Sequence, residues 1–421
     1  MRGYGGNVRL PAPRRPDRIV VVGAGLAGLR TVAELRATGF TGHLTLLGNE
    51  GLPPYDRPPL SKELLTRTTP LWLADDLGYD LDGLADEVRL ATAARALRVG
   101  PDGPRLDLDD GAELAADAVV AATGSRPLRP HGWDHALLLH SASDADTLRA
   151  AITPGARIVV VGAGWIGAEV AGVAAAAGAS VTVLEAGPAP LGRQLGPDLG
   201  GRTTPWYAQA GVDLHTGATV TRVEPDGVHL TDGRTFAADV VLCAIGARPA
   251  TEWLGDAVRR EPSGHVRVDA GGASATPGVW AVGDVAARSH PTLGAVPGGH
   301  WSAALTDPEP LARALLGIEP DGAAEPAPYV YSTQLGHHLT VFGRLHGTDG
   351  APIRLLDRGE VGAGPWTALA LEGDALVGAV IVDAPREVAA VRRLLGAAEL
   401  PRLDPVLAAD PTTKLRSAVV P

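Results

Sequence analysis

Arg18-Ile19-Val20-Val21-Val22-Gly23-Ala24-Gly25-Leu26-Ala27-Gly28 returns later in the chain, nearly letter for letter, as Arg157-Ile158-Val159-Val160-Val161-Gly162-Ala163-Gly164-Trp165-Ile166-Gly167. A lone G-x-G-x-x-G is weak evidence, because glycines gather in any turn. Its surroundings give each copy its meaning. In both, the apolar run reads as a buried parallel strand. A helix is expected next, over Leu26 to Thr38 and over Trp165 to Gly178, then a second strand at His43 to Leu47 and at Ser180 to Leu184. An acid follows each second strand, Glu50 in one unit and Glu185 in the other. The glycines permit a tight turn and let backbone approach a pyrophosphate, which rests on a helix N-terminus carrying roughly half a positive charge. The acid can then hold a ribose diol. Two such βαβ units in one chain imply two bound nucleotides and electron transfer between them.

The repeat extends past the loops. Val119-Val120-Ala121-Ala122-Thr123-Gly124-Ser125-Arg126-Pro127 and Val240-Val241-Leu242-Cys243-Ala244-Ile245-Gly246-Ala247-Arg248-Pro249 are apolar strands that both end in Gly-x-Arg-Pro. A repeat spacing near a hundred residues argues for two sibling domains, since solenoid periods are roughly 20 to 50 residues. A chain of 421 residues has room for about three domains. Hydrophobic residues at 45% and charged residues at 20% fit a globular α/β protein.

Composition also excludes partners and chemistries. A formal net charge of −11 argues against nucleic acid or an anionic membrane as a bulk partner. No apolar run long enough for a membrane helix appears, and residues 1–16 read as a disordered leader, because no apolar segment follows Arg14-Arg15 before the first core strand. The expected compartment is the cytoplasm. Cys243 is the single cysteine, which leaves no redox disulfide, zinc cage or cysteine-ligated iron–sulfur cluster within the chain. The histidines show no ligand spacing, so no metal site is expected.

After the first unit comes Pro54-Tyr55-Asp56-Arg57-Pro58-Pro59-Leu60-Ser61-Lys62. With this nonapeptide the sequence resembles the FAD-dependent ferredoxin and rubredoxin reductases that serve oxygenases, a family related to the apoptosis-inducing factors. The likeness runs from about Arg18 to the C-terminus. It implies an α/β fold of two Rossmann-type dinucleotide-binding domains plus a C-terminal α+β interface domain. FAD would lie on the first fingerprint, through Gly23, Gly25, Leu26, Ala27 and Gly28, with Glu50, Arg57, Pro58, Thr123, Gly124 and Arg126. NADH would lie on the second, through Gly162, Gly164, Trp165, Ile166 and Gly167, with Glu185 and Gly246. The prolines stiffen a loop that can then pass close to a flat ring at little entropic cost.

The resemblance pairs Lys62 with Glu169, at the flavin, as the catalytic residues. Lys62 would stabilise the reduced ring, and Glu169 would orient it and contact the nicotinamide. Thr276-Pro277-Gly278-Val279-Trp280-Ala281-Val282-Gly283-Asp284 matches a second FAD motif, in which Asp284 accepts from a ribityl hydroxyl. The FAD domain is therefore expected to be discontinuous, 17–126 and 247–325, around an NAD domain of 127–246, with the interface domain at 326–421. His300-Trp301 matches a family pair beside the isoalloxazine. Tyr331-Ser332-Thr333-Gln334 falls where the family has a tryptophan-serine-aspartate-glutamine run, and Gly299, Asp307, Pro308 and Thr333 depart from the family pattern. A carboxylate at position 185 favours NADH, because it would repel the 2′-phosphate of NADPH, although Arg193 could swing toward such a phosphate.

The electron acceptor implied is a small iron–sulfur protein, a ferredoxin or rubredoxin, and the chain is expected to be a monomer or homodimer. Two alternatives stay open. One is a flavoenzyme acting directly on a small molecule or oxygen, and the other is an NADH-sensing flavoprotein that dimerises on reduction. The C-terminal segment, with short alternating runs at Leu339 to Phe342, Thr367 to Leu371 and Leu376 to Val382 and a helix near Glu387 to Leu395, reads as an antiparallel sheet with a helix or two.

Overall fold

The two Arg-Ile-Val-Val-Val runs become the central strands of two parallel sheets with the same local plan, Arg18–Val22 and Arg157–Val161, each exposed at the arginine and buried at the next four residues. The computed structural model describes residues 15–295, 301–319, 322, 324–347, 351–361 and 364–420. His300, Gly299 and nearly all of the expected leader lie outside them.

In the first sheet the strand order is Val279–Ala281, Ala118–Ala121, Arg18–Val22, His43–Leu47, Glu87–Arg89, with every pairing parallel. The second runs Asp213–His215, Ser180–Leu184, Arg157–Val161, Val240–Cys243, again all parallel. Strands buried on both faces need continuous apolar side chains, which is why β-branched runs and not alternation mark them. Ile19, Val21, Leu44 and Leu46 in one sheet, and Val160, Val183 and Leu184 in the other, are fully buried. Each such side chain contributes about 1.5–3 kcal/mol relative to exposure.

The fingerprint helices are Leu26–Ala37 and Trp165–Ala176. Both stop slightly short of the sequence expectation, the second two residues before Gly178, whose φ of +86° leaves the helical region. The two Gly-x-Arg-Pro closers also meet, as Ser125–Pro127 pairs antiparallel with Ala247–Pro249 and sets Arg126 opposite Arg248. Each unit carries a small antiparallel sheet that the sequence reading did not resolve: Ala94–Gly100, Gly103–Leu108 and Glu113–Ala115 in one, Val220–Glu224, Gly227–Leu230 and Thr235–Ala237 in the other.

The C-terminal segment folds as a seven-stranded sheet whose main path is Tyr329–Gln334, His337–Gly343, Ala375–Val382, Trp366–Glu372, Ile353–Arg358, all antiparallel. Helix Pro385–Leu395 lays Val391 and Leu395 against it. Tyr329–Gln334, whose last four residues the sequence shows only as a motif, is its edge strand. The hairpin that follows this strand docks on helix Trp165–Ala176. A Cβ on Gly172 would stand 3.0 Å from Leu335 N, so the glycine eases this close approach. Glu169, one turn earlier, faces the same hairpin. Beside it, Trp206 stacks on His337, ring centroids 4.3 Å apart at 23°, and Arg202 donates to Asp357 at 2.6 and 3.1 Å.

Candidate functional site

The two fingerprints divide their glycines by job. A Cβ on Gly23 would stand 2.2 Å from Ala122 O, and one on Gly28 would stand 1.8 Å from Gly23 O. Gly162 and Gly167 are equally closed, at 2.5 Å from Ala244 O and 2.0 Å from Gly162 O. These four serve strand–helix packing. The middle glycines do not. Among the described residues, a Cβ on Gly25 meets only Arg57 Nε at 4.0 Å, and one on Gly164 only Gln194 Nε2 at 3.4 Å. Neither helix has a side-chain cap on its first turn. Both therefore present bare N–H groups to an open recess, which fits a pyrophosphate on each. Ile166, 43% exposed, leaves an apolar side chain at the mouth of the second.

The two acids are held differently. Glu185 accepts from Ala163 N at 2.8 Å with one oxygen and from Gly187 N at 2.7 Å with the other. Each oxygen keeps a lone pair for a ribose hydroxyl. Glu50 pairs with Arg57 and accepts from the Tyr55 hydroxyl at 2.6 Å. Arg57 also donates to His140 O at 2.6 Å, so the proline loop, the first acid and the start of helix Ala142–Ala151 form one unit. Burial raises the Tyr55 pKa, and it lowers that of His140.

Lys62 and Glu169, 107 residues apart in sequence, meet. Lys62 Nζ lies 2.8 Å from Glu169 Oε2, both largely buried, and also donates to Pro58 O at 3.0 Å. The lysine follows a tight 3-10 turn over Pro58–Ser61, where proline at the first position fixes φ. Ser61 Oγ donates to Glu169 Oε2, and Ser332 Oγ donates to Glu169 Oε1. Gln334 Nε2 donates to Ser332 Oγ at 3.0 Å. The pair is thus closed by a side chain of the C-terminal sheet.

Asp284 sits in the short turn Gly283–Val285, where burial raises its pKa while the Ser125 hydroxyl, 3.3 Å away, opposes the shift. Trp301 opens helix Trp301–Thr306 and donates its indole N–H to Asp56 Oδ1 at 2.8 Å. Burial raises the Asp56 pKa, countered first by that hydrogen bond. Trp301 also meets the exposed Tyr331 edge to face, centroids 6.2 Å apart at 81°. Thr123 Oγ1 donates to Ala250 O at 2.7 Å beside Gly124, and Arg126 pairs with Glu252. Gly246 lies under Arg193, whose Nη1 reaches Ile245 O at 3.4 Å. The departing residue Asp307 joins a buried cluster with Arg288 and Glu325.

Sequence reasoning gave no role to Asp56, Ser61, Gln194, Ser332 or Gln334. Ser61 and Asp56 stood inside the nonapeptide, and Ser332 and Gln334 inside a motif read for its departures. The signal for the last two was the period of two in Tyr329–Gln334, whose Ser332 and Gln334 are buried between exposed Tyr331 and Thr333.

Two parallel nucleotide-binding sheets, bare helix starts and a lysine–acid pair between them define a two-nucleotide oxidoreductase. The chain belongs to the pyridine nucleotide-disulphide oxidoreductase family, whose model matches residues 17–304, and it continues into a reductase C-terminal domain at residues 329–419. It is 32% identical over 413 residues to the ferredoxin–NAD(+) reductase subunit of the benzene 1,2-dioxygenase system of Pseudomonas putida, covering 96% of this chain and 98% of that protein. To the ferredoxin–NAD(+) reductase component of the anthranilate 1,2-dioxygenase system of Burkholderia cepacia it is 34% identical, covering 95% and 99%. Among solved structures it matches Fdr9 with a TM-score of 0.85 at 38% identity, over 95% of this chain and 99% of that one. It matches the covalent putidaredoxin reductase–putidaredoxin complex at 0.86 and 28%, over 96% and 98%. Cys243 alone cannot supply the cysteine pair of the disulphide chemistry in the family's description.

Proposed function

We propose that this chain draws electrons from NADH and passes them, through bound FAD, to a small ferredoxin or rubredoxin that feeds an oxygenase. The observation that supports this most is the buried Lys62–Glu169 pair at the junction of both fingerprint units and the C-terminal sheet. FAD, when bound, accepts a hydride and releases single electrons. The protein's part is to hold, orient and exclude. The first helix start, with Gly25, Leu26 and Ala27, takes the FAD pyrophosphate, Glu50 the ribose and Asp284 the ribityl chain. Thr123, Gly124, Arg126, Arg57, Pro58 and Trp301 complete that site. The second helix start takes the NADH pyrophosphate, with Gln194 Nε2 beside Gly164 as an added donor. Glu185 holds the adenosine ribose, and Trp165, Ile166 and Gly246 line the nicotinamide side. Lys62 turns its ammonium toward the ring, and Glu169 fixes that ammonium in place. No helix among the described residues is long and apolar enough to cross a membrane.

Anaerobic mixing of the purified flavin-loaded protein with NADH, followed by a panel of ferredoxins and a rubredoxin, tests the reading. Fast bleaching reversed by one carrier is the expected result. Bleaching that only oxygen or a small quinone reverses would establish a flavoenzyme acting on small molecules instead. The altered Thr333, whose hydroxyl lies 3.2 Å from His338 Nδ1, motivates including that arm.

A further inference from the structure

Ser332 belongs to the C-terminal sheet, yet its hydroxyl ends on an acid of the second fingerprint helix, 163 residues away in sequence. Four side chains here are almost sealed: Ser332 is 3% exposed, Gln334 1%, Glu169 5% and Ser61 5%. A serine hydroxyl has one proton. Gln334 Nε2 donates to the Ser332 oxygen at 3.0 Å, which leaves that proton to Glu169 Oε1 and fixes the rotor. Glu169 Oε2 serves Ser61 and Lys62. Lys62 in turn spends one proton on Glu169 and one on Pro58 O, and an ammonium has three. Among the described residues the third has no acceptor and can face a ligand.

We propose that Ser332 is a positioning residue which, through Glu169, sets how strongly Lys62 acts on the bound flavin, and so sets the flavin's reduction potential. This rests on the reading of Lys62 as the flavin's neighbour. The sign follows from the donor count. With Ser332 in place, Glu169 is satisfied at Oε1 and need not draw further on Lys62. Without it, a buried oxygen loses its donor, the carboxylate pulls the ammonium closer, and less positive field reaches the ring. The reduced, negatively charged ring is then less favoured and the potential falls. Tyr331 and Thr333 of the same edge strand face outward, so the strand that carries this control also presents a surface.

The test is the midpoint potential of the flavin-loaded protein, titrated anaerobically against redox dyes, with melting temperature and flavin stoichiometry checked for each variant. Ser332→Ala is expected to shift the balance of oxidised and reduced flavin about tenfold toward oxidised, about 30 mV lower for a two-electron couple. Ser332→Thr, which keeps the hydroxyl, keeps the wild-type potential. Glu169→Gln frees Lys62 and raises the potential, and adding Ser332→Ala to that background changes nothing more, because the route runs through the acid. Gln334→Met, which removes the donor that orients Ser332, gives a smaller fall and serves if Ser332→Ala fails to retain flavin.

An unchanged potential in Ser332→Ala, while Lys62→Ala lowers it, overturns the proposal and leaves the reading of Lys62 standing. Equal falls in the Ala and Thr variants, or the same fall with Glu169→Gln present, overturn it as well, since the hydroxyl or the route is then wrong. Should neither Lys62→Ala nor Ser332→Ala move the potential, the placement of Lys62 at the flavin falls and takes the proposal with it.

Discussion

Glu185 gives both carboxylate oxygens to backbone N–H groups, of Ala163 in the fingerprint and Gly187 beyond the strand, so its position is fixed before any nucleotide arrives. A fixed carboxylate discriminates well, because a 2′-hydroxyl can donate to it and a 2′-phosphate can only repel it. Hydrogen bonds to charged groups contribute about 1.5–3 kcal/mol, roughly ten- to a hundredfold in binding. Glu185→Ala is therefore expected to cut the NADH over NADPH preference in kcat/KM by at least about tenfold, mostly through weaker NADH use. An unaltered ratio would remove Glu185 from the ribose site. Asp307 offers a second test at this scale. Burial raises its carboxyl to about 6, with Arg288 opposing and Glu325 adding to the shift. The unfolded chain would lose that proton near about 3.9. Between those values the folded state holds the extra proton, so its contribution to stability is present at low pH and is lost as pH rises through about 6. Asp307→Asn should melt close to wild type near pH 4 and a few degrees higher near pH 7.5, from at most about 3 kcal/mol. The same melting difference at both pH values would show that the ionisation of Asp307 does not matter to the fold.

At the scale of elements, the fingerprint turns separate folding from binding within a few residues. Gly162→Ala puts a Cβ at a φ of +104°, 2.5 Å from Ala244 O, and should disrupt the second sheet. Gly164→Ala puts one beside only the flexible Gln194 amide and should fold normally while weakening NADH binding about tenfold or more, read as a Kd from quenching of protein fluorescence. Equal melting losses in both variants would contradict this division of work. The strand–turn–helix units were legible in the sequence because their signals are local and doubled: Arg18–Val22 and Arg157–Val161 carry identical letters and identical burial. The small antiparallel sheets were not, since strands such as Glu113–Ala115 and Thr235–Ala237 are three residues long and show no period. Tyr329–Gln334 alternates only over its last four residues, Tyr331 to Gln334, too short a run to mark a strand by itself. Meetings across the chain lie furthest from sequence. Lys62 with Glu169 came only through the resemblance, and Ser61 or Ser332 with Glu169, at separations of 108 and 163, had no local signal at all.

For the whole molecule, the question is what makes the C-terminal sheet and the nucleotide-binding units behave as one body. The sheet has a core of its own, with Phe342, Leu369, Leu371, Leu376 and Val377 fully buried, so it has the means to persist alone. Its other face joins the second unit: Leu335, Leu339, Trp366, Ala368, Val380 and Val382 share one buried core with Val170, Leu195, Trp206 and Tyr207. Trp206 stacks on His337, Arg202 bonds Asp357 and lies 5.3 Å over the Trp366 ring, and Gly172 admits the Leu335 turn. Trp206, 6% exposed, is a large side chain of that core, and removing a tryptophan from such a place costs about 3–5 kcal/mol. In the wild type the shared core should make melting a single event, with release of flavin fluorescence and loss of far-ultraviolet circular dichroism sharing one midpoint. Trp206→Ala should divide it, the flavin signal moving several degrees below the dichroism midpoint while the C-terminal sheet holds. Midpoints that stay together in the variant would mean that the rest of the shared core, with the Glu169–Ser332 contact, couples the units without Trp206.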